Sequence, residues 1–204
     1  MKTLFRLLFI VLLSGMVVAC DALPMVGIPT LTPPPSPTPV ELSQTFSGRD
    51  LVGNTLTLNF PMAWAQSGNA DSLLLGTSAS LLDNAQVDMG LGDVGVSISM
   101  IPVSLAGLSV PEGVTPSPYN ILLNFINSAQ TNNPNLQFST PEIALLGDKA
   151  AALVRVVNTS DESLTMIVDV GTGYAVVVAA ADIGELASFL PTIQAIAQSI
   201  TYGR

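Results

Sequence analysis

Few residues in this chain could do chemistry, and the first is Cys20. It is the single cysteine among 204 residues, so there is no internal disulfide and no multi-cysteine zinc or iron–sulfur site. There is no histidine. That removes the commonest general base and excludes Ser-His-Asp and Cys-His nucleophilic systems. Asp83, Asn84, Asp88 and Asp93 form the densest acidic group. A hard cation such as Ca²⁺ needs six to eight oxygens. The spacing matches no calcium loop, so these residues read as a solvated loop and no metal site is assigned. No clustered carboxylate pair suggests a glycosidase-type hydrolase. Trp64 and Tyr119 read as packing residues. Arg155 lies in an apolar stretch, and is expected either to point outward at an edge or to pair with a carboxylate such as Asp169. Asn158-Thr159-Ser160 fits a glycosylation sequon and reads as a hairpin turn. No catalytic residue and no cofactor is assigned.

The residues that must position Cys20 come before it. Lys2 and Arg6 make a short positive region, followed by an apolar run from Leu7 to Val18. Twelve residues are too few to span a bilayer comfortably, but they suit a signal-peptide core. Val17-Val18-Ala19-Cys20 then resembles the bacterial lipobox, with an aliphatic residue at −3 and a small one at −1. The resemblance implies a diacylglycerol on the Cys20 sulfur and cleavage that makes Cys20 the new N-terminus. The same residues could instead form an ordinary secretory signal or an uncleaved anchor helix. Position, small preceding residue, polar linker and sole cysteine together favour the lipobox. Two acyl chains suffice for stable anchoring, at about 0.8 kcal/mol per buried methylene.

Loss of Lys2 and Arg6 would leave four basic residues against 15 acidic ones, a side-chain charge of −11. Such a surface is repelled by anionic lipid and does not suit nucleic acid. Residues 21–40 hold seven of the 15 prolines. Thr32-Pro33-Pro34-Pro35-Ser36-Pro37-Thr38-Pro39 is pre-set for polyproline II. At about 3.1 Å per residue, residues 21–40 could hold a domain up to ~60 Å from the membrane. The expected organisation is therefore a signal peptide over 1–19, a lipidated linker over 20–45 and one globular domain over 46–204.

The domain reads as antiparallel strands with helices over them. Leu56, Leu58 and Phe60 alternate with polar residues after the Gly53-Asn54 turn, and Pro61 stops the strand. Further strands are expected over 72–77, with Val94, Val96, Ile98 and Met100 on one face of 93–101, and over 138–146, 150–158, 163–170 and 174–181. The last four succeed one another through turns, hence as antiparallel hairpins. Tyr174-Ala175-Val176-Val177-Val178-Ala179-Ala180 is continuously apolar, so the sheet centre should be covered on both faces. A helix with Leu122, Phe125, Ile126 and Ala129 on one stripe is expected within 116–131. Ser117 would be its N-cap and Pro118 its first residue. Asp182-Ile183-Gly184-Glu185 has capping-box spacing. Pro191 should divide the segment after Glu185 into a short turn and a longer helix, with Leu186, Phe189, Leu190, Ile193, Ala197 and Ile200 on the apolar stripe.

Three places resemble the PsbP-like fold. One is the strand closing Leu58-Asn59-Phe60-Pro61-Met62-Ala63-Trp64, where Ala63 stands for the usual glycine. The others are the Leu146-Gly147-Asp148-Lys149-Ala150-Ala151 hairpin and the last strand with its helix ending Gln198-Ser199-Ile200. The resemblance covers residues 46–204. It implies an α+β fold, an antiparallel sheet in an α/β/α sandwich, used as a binding or assembly module and not as an enzyme. The resulting expectation is a lipid-anchored, palmitate-bearing protein on the extracytoplasmic side of a bacterial membrane, with an unknown protein partner. The alternative is a carrier of a small apolar molecule or lipid, held between sheet and helices.

Overall fold

The computed structural model describes residues 41–83, 90–157 and 161–204. All fall within the compact unit Pro37–Arg204. The elements run β1 (Gln44–Arg49), β2 (Thr55–Phe60), β3 (Ala65–Gly68), β4 (Leu73–Gly76), α1 (Ser80–Asp83), β5 (Val94–Pro102) and a 3-10 turn (Ala106–Ser109). Then come α2 (Pro118–Asn132), β6 (Glu142–Leu146), β7 (Lys149–Val157), β8 (Asp161–Asp169), β9 (Gly173–Asp182), α3 (Leu186–Ser199) and β10 (Thr201–Gly203). Seven strands form one sheet in the order β3-β4-β5-β9-β8-β7-β6, and three form a second in the order β1-β2-β10. Every pairing is antiparallel. The result is an α+β fold.

The period-2 segments became strands because each has a face to bury. Leu56, Leu58 and Phe60 on β2 are fully or almost fully buried, as are Val94, Val96 and Ile98 on β5. Central β9 is apolar on both faces for the expected reason. Ala175, Val177, Ala179 and Ala181 join the core beneath α3, whereas Tyr174 and Val176 join the one beneath α2. On the α3 side Leu164, Met166 and Val168 meet Leu186, Ile193 and Ile196, and the three-stranded sheet shares that core through Leu56, Leu58 and Phe60. On the other side Ala152, Val154 and Ile167 meet Ile121, Leu122 and Ile126. The segment 138–146 is divided. Phe138 makes an isolated bridge to Val156, and β6 starts only at Glu142, after Pro141.

In α2, Ser117 caps as expected, its hydroxyl accepting the Asn120 N–H at 3.2 Å, and Pro118 opens the helix. The buried stripe is Pro118, Ile121, Leu122 and Ile126, and Phe125 lies on the exposed side. Leu122 and Ile126 are buried as expected, whereas Phe125 is turned outward and Ile121 packs in the core in its place.

α3 corrects the expectation more deeply. It is one helix from Leu186 to Ser199, with Pro191 inside it. Burial of Leu186 on one side of Pro191, and of Ile193, Ile196 and Ala197 on the other, holds both halves on the same sheet. The capping box also fails to form. Glu185 stands at the N-cap without a side-chain cap. The Leu186 N–H donates instead to Glu162 Oε1 on β8, at 2.7 Å. At the other end Lys149 Nζ donates to the Gln198 and Ile200 carbonyls. Gly147 turns the β6–β7 hairpin at a φ of 66°, in the left-handed region that favours glycine.

Candidate functional site

Cys20 and Asp88 lie outside the described residues, as do Asn84 and the 158–160 sequon. The remaining member of the acidic group with a described side chain, Asp93, has a local task. One carboxylate oxygen accepts the Gly90 N–H at 3.1 Å and the other the Thr77 hydroxyl at 3.3 Å, while Thr77 Oγ1 accepts the Val94 N–H at 3.1 Å. These bonds start β5. Among the described residues no three His, Cys, Asp or Glu side chains stand together in a way that could hold a metal ion.

Arg155 is exposed, as the first of its two expected positions required, but not at an edge: β7 lies between β8 and β6. Pairing with Asp169 is excluded by register. Arg155 lies opposite Leu164, whereas Ala151 lies opposite Val168. Asp169 is thus five residues away along the strand, roughly 16 Å, and it caps its own turn by accepting the Gly171 N–H at 2.8 Å. Trp64 is a core residue, packed on the α3 side, with its backbone N–H donating to the Pro61 carbonyl at 3.1 Å. Tyr119 packs partly buried against the α2-side core.

What the fold assembles is a surface. The β1–β2 turn is closed by Asp50, whose carboxylate accepts the Val52 and Asn54 N–H groups at 3.0 and 2.8 Å. The same carboxylate accepts the Tyr202 hydroxyl from β10, and Asn54 Nδ2 donates to that hydroxyl oxygen at 2.8 Å. The Tyr202 carbonyl accepts the Thr172 hydroxyl from the β8–β9 turn. The Thr172 carbonyl in turn accepts the Val103 N–H, at 3.2 Å, where β5 ends. Four separated segments are so tied together at one end of the domain.

The electrostatics of that knot follow from its geometry. Burial raises the Asp50 pKa, but the hydrogen bonds from Tyr202, Asn54 and Val52 together outweigh it and hold the carboxyl below its ordinary range. Burial and the Asp50 partner push the Tyr202 phenol up.

Two of the tied segments carry exposed apolar side chains. Leu51 and Val52 are 92% and 64% exposed at the β1–β2 turn. Val103, Leu105 and Leu108 are exposed just past β5, Leu108 at 84%. The segment 103–117 carries a single charge, Glu112. Two of the four tied segments therefore carry exposed aliphatics, and contiguous exposed aliphatics mark interaction surfaces more often than isolated ones do. The other end of β1 is where the chain enters: Gln44 lies opposite Phe60, and its Nε2 donates to the Met62 carbonyl at 2.5 Å. Leu51 and Val52 are thus the length of β1, roughly 20 Å, from Gln44.

Sequence reasoning missed these residues. Leu51-Val52 ahead of Gly53-Asn54 was a legible signal, because apolar side chains at a turn tip have nothing to pack against. Val103, Leu105 and Leu108 follow no period and gave none.

No helix among the described residues is long and apolar enough to cross a membrane. The sequence matches no family model, and no curated protein matches it. Solved structures similar in shape include LpqN, involved in cell envelope biogenesis of Mycobacterium tuberculosis. It is 17% identical, with a TM-score of 0.46, over 79% of this chain and 91% of that one. They also include the cyanobacterial PsbP (CyanoP) of Synechocystis sp. PCC 6803, 10% identical, with a TM-score of 0.45, over 89% and 97%. A third is the Ran-binding protein Mog1p of Saccharomyces cerevisiae, 8% identical, with a TM-score of 0.41, over 76% and 87%.

Proposed function

We propose that this protein is a membrane-tethered, extracytoplasmic lipoprotein, lipidated at Cys20, whose domain serves as a non-catalytic binding or assembly module for a protein partner. The carrying observation is the set of exposed aliphatics Leu51, Val52, Val103, Leu105 and Leu108, carried by two of the segments that the hydrogen bonds from Asp50 through Tyr202 and Thr172 to Val103 join. Leu51 and Val52 follow Arg49, at the opposite end of β1 from Gln44. Lipid insertion of the same residues is disfavoured by the strongly acidic chain. The carrier reading loses ground because side chains such as Met166, Val177 and Ile193 fill the space beneath α3, and Ile121, Leu122 and Val154 the space beneath α2.

The test has two arms. Cys20→Ser should move the protein out of the membrane fraction and abolish incorporation of an alkyne-tagged fatty acid. A photo-crosslinker at Val103 should capture a partner on membranes, and Leu108→Asp should lose it. If Cys20→Ser stays with the membranes as before, the tether is wrong. If the same adducts form with Leu108→Asp, the docking end is wrong.

A further inference from the structure

A second exposed surface lies far from the first in the sequence. Among the described residues, strand β6 is an outer strand of the seven-stranded sheet, paired only on its β7 side. Two of its five residues are large, apolar and outside: Ile143 is 77% exposed and Leu145 73%. Both lie on the α2 face, since Ile143 stands opposite Ala152, which belongs to the α2-side core. Proteins ordinarily blunt such an edge with lysine, proline or a bulge. Here the strand reads Glu-Ile-Ala-Leu-Leu.

We infer that this edge seats a second copy of the chain, the two β6 strands pairing antiparallel about a two-fold axis at Ala144. Three observations select that occupant. An open edge presents a row of N–H and C=O groups, and only another extended strand satisfies such a row. The pairable stretch is bounded by Pro141, which has no N–H, and by the Gly147 turn, so the register that pairs all five residues is centred on Ala144. In that register Ile143 faces Leu145 of the other copy, and Leu145 faces its Ile143. Four exposed aliphatics are thereby joined on one face, and Glu142 meets Leu146 and not another Glu142.

The third observation is charge. The chain carries −9 overall, yet the β6–β7 hairpin holds Glu142, Asp148, Lys149 and Arg155 and is neutral. It is a place where two such acidic molecules approach without local repulsion. The paired area is well below the roughly 1,600 Å² of a standard stable interface. The contact therefore works at the raised local concentration of a tethered protein, a condition that rests on the anchor at Cys20 proposed above.

Cysteine cross-linking on membranes from cells making the full chain tests this. Facing Cα atoms in an antiparallel pair are roughly 4.5–5.5 Å apart, within the span of a disulfide. Ala144→Cys should give a disulfide-linked dimer under mild oxidation. The parent chain, with Cys20 alone, sets the background. Ser67→Cys, on the opposite edge strand β3, should stay at that background. Adding Leu145→Lys to Ala144→Cys should remove the dimer, as should Ile143→Lys. Both positions are exposed, and native Trp64 fluorescence confirms folding. Ala144→Cys at background level overturns the inference, and so does equal dimer from Ser67→Cys. Adducts with a different protein alone, or dimer that survives both lysine substitutions, overturn it too. Fractionation of the same samples reports the tether separately, so protein lost from the membrane is told apart from tethered protein that does not pair.

Discussion

Glu162 and Lys149 cap opposite ends of the same helix. Glu162, on β8, accepts the first helical N–H of α3, and Lys149, at the start of β7, donates to carbonyls at its C-terminal end. The helix has no acidic residue in its first turn and no basic one in its last. The sheet supplies both charges, each with the sign that the helix dipole favours. Neighbouring strands thereby orient the helix that lies over them.

Removing either cap should destabilise the domain independently of the other. Glu162→Ala should cost about 0.5–2 kcal/mol, as loss of an N-cap acceptor does. Lys149→Met should cost about 0.3–1 kcal/mol. The sites are separated by a 14-residue helix, so the double variant should be additive within roughly 0.5 kcal/mol. Urea unfolding followed by the fluorescence of buried Trp64 measures all three.

Pro191→Ala should stabilise. Within the continuous helix Pro191 removes the hydrogen bond that residue 191 would make to the Ala187 carbonyl. Restoring it should raise stability by on the order of 1–3 kcal/mol, with a higher Tm and slightly more helix by circular dichroism. No change would mean that the helix breaks at Pro191 after all.

The Asp50–Tyr202 pair should set both pH limits of the knot it closes. Asp50 is held below its ordinary 3.8, so its contribution is present above that value and is lost as pH falls through the folded value. Tyr202 is raised above 10.0, so its contribution is present below pH 10 and is lost as pH rises through the folded value. Asp50→Asn should flatten the acid limb of the stability profile and Tyr202→Phe should reduce the alkaline one. In Asp50→Asn the Tyr202 phenol should titrate closer to 10, read from phenolate absorbance. A Tyr202 titration unmoved by Asp50→Asn would separate the two groups.

The sequence by itself determined where burial was needed. Alternation at Leu56, Leu58 and Phe60 and at Val94, Val96 and Ile98 fixed those strands and their inner faces, because the period of the side chains is a local property of the backbone. The Ser117-Pro118 start of α2 and the hairpin order β6 to β9 were legible for the same reason, through short turns and a local cap. Tertiary structure alone decided which groups end up beside one another. β10 pairs with β2 across more than 140 residues, Glu162 replaces Asp182 at the head of α3, and α3 runs through Pro191. Each outcome depends on which strand lies under the helix, and packing on both sides of Pro191 outweighs the missing hydrogen bond. The exposure of Leu108, Ile143 and Leu145 belongs to the same class. Hydrophobicity tells a chain what to bury, but only the finished arrangement of neighbours shows which apolar side chains are left for another molecule.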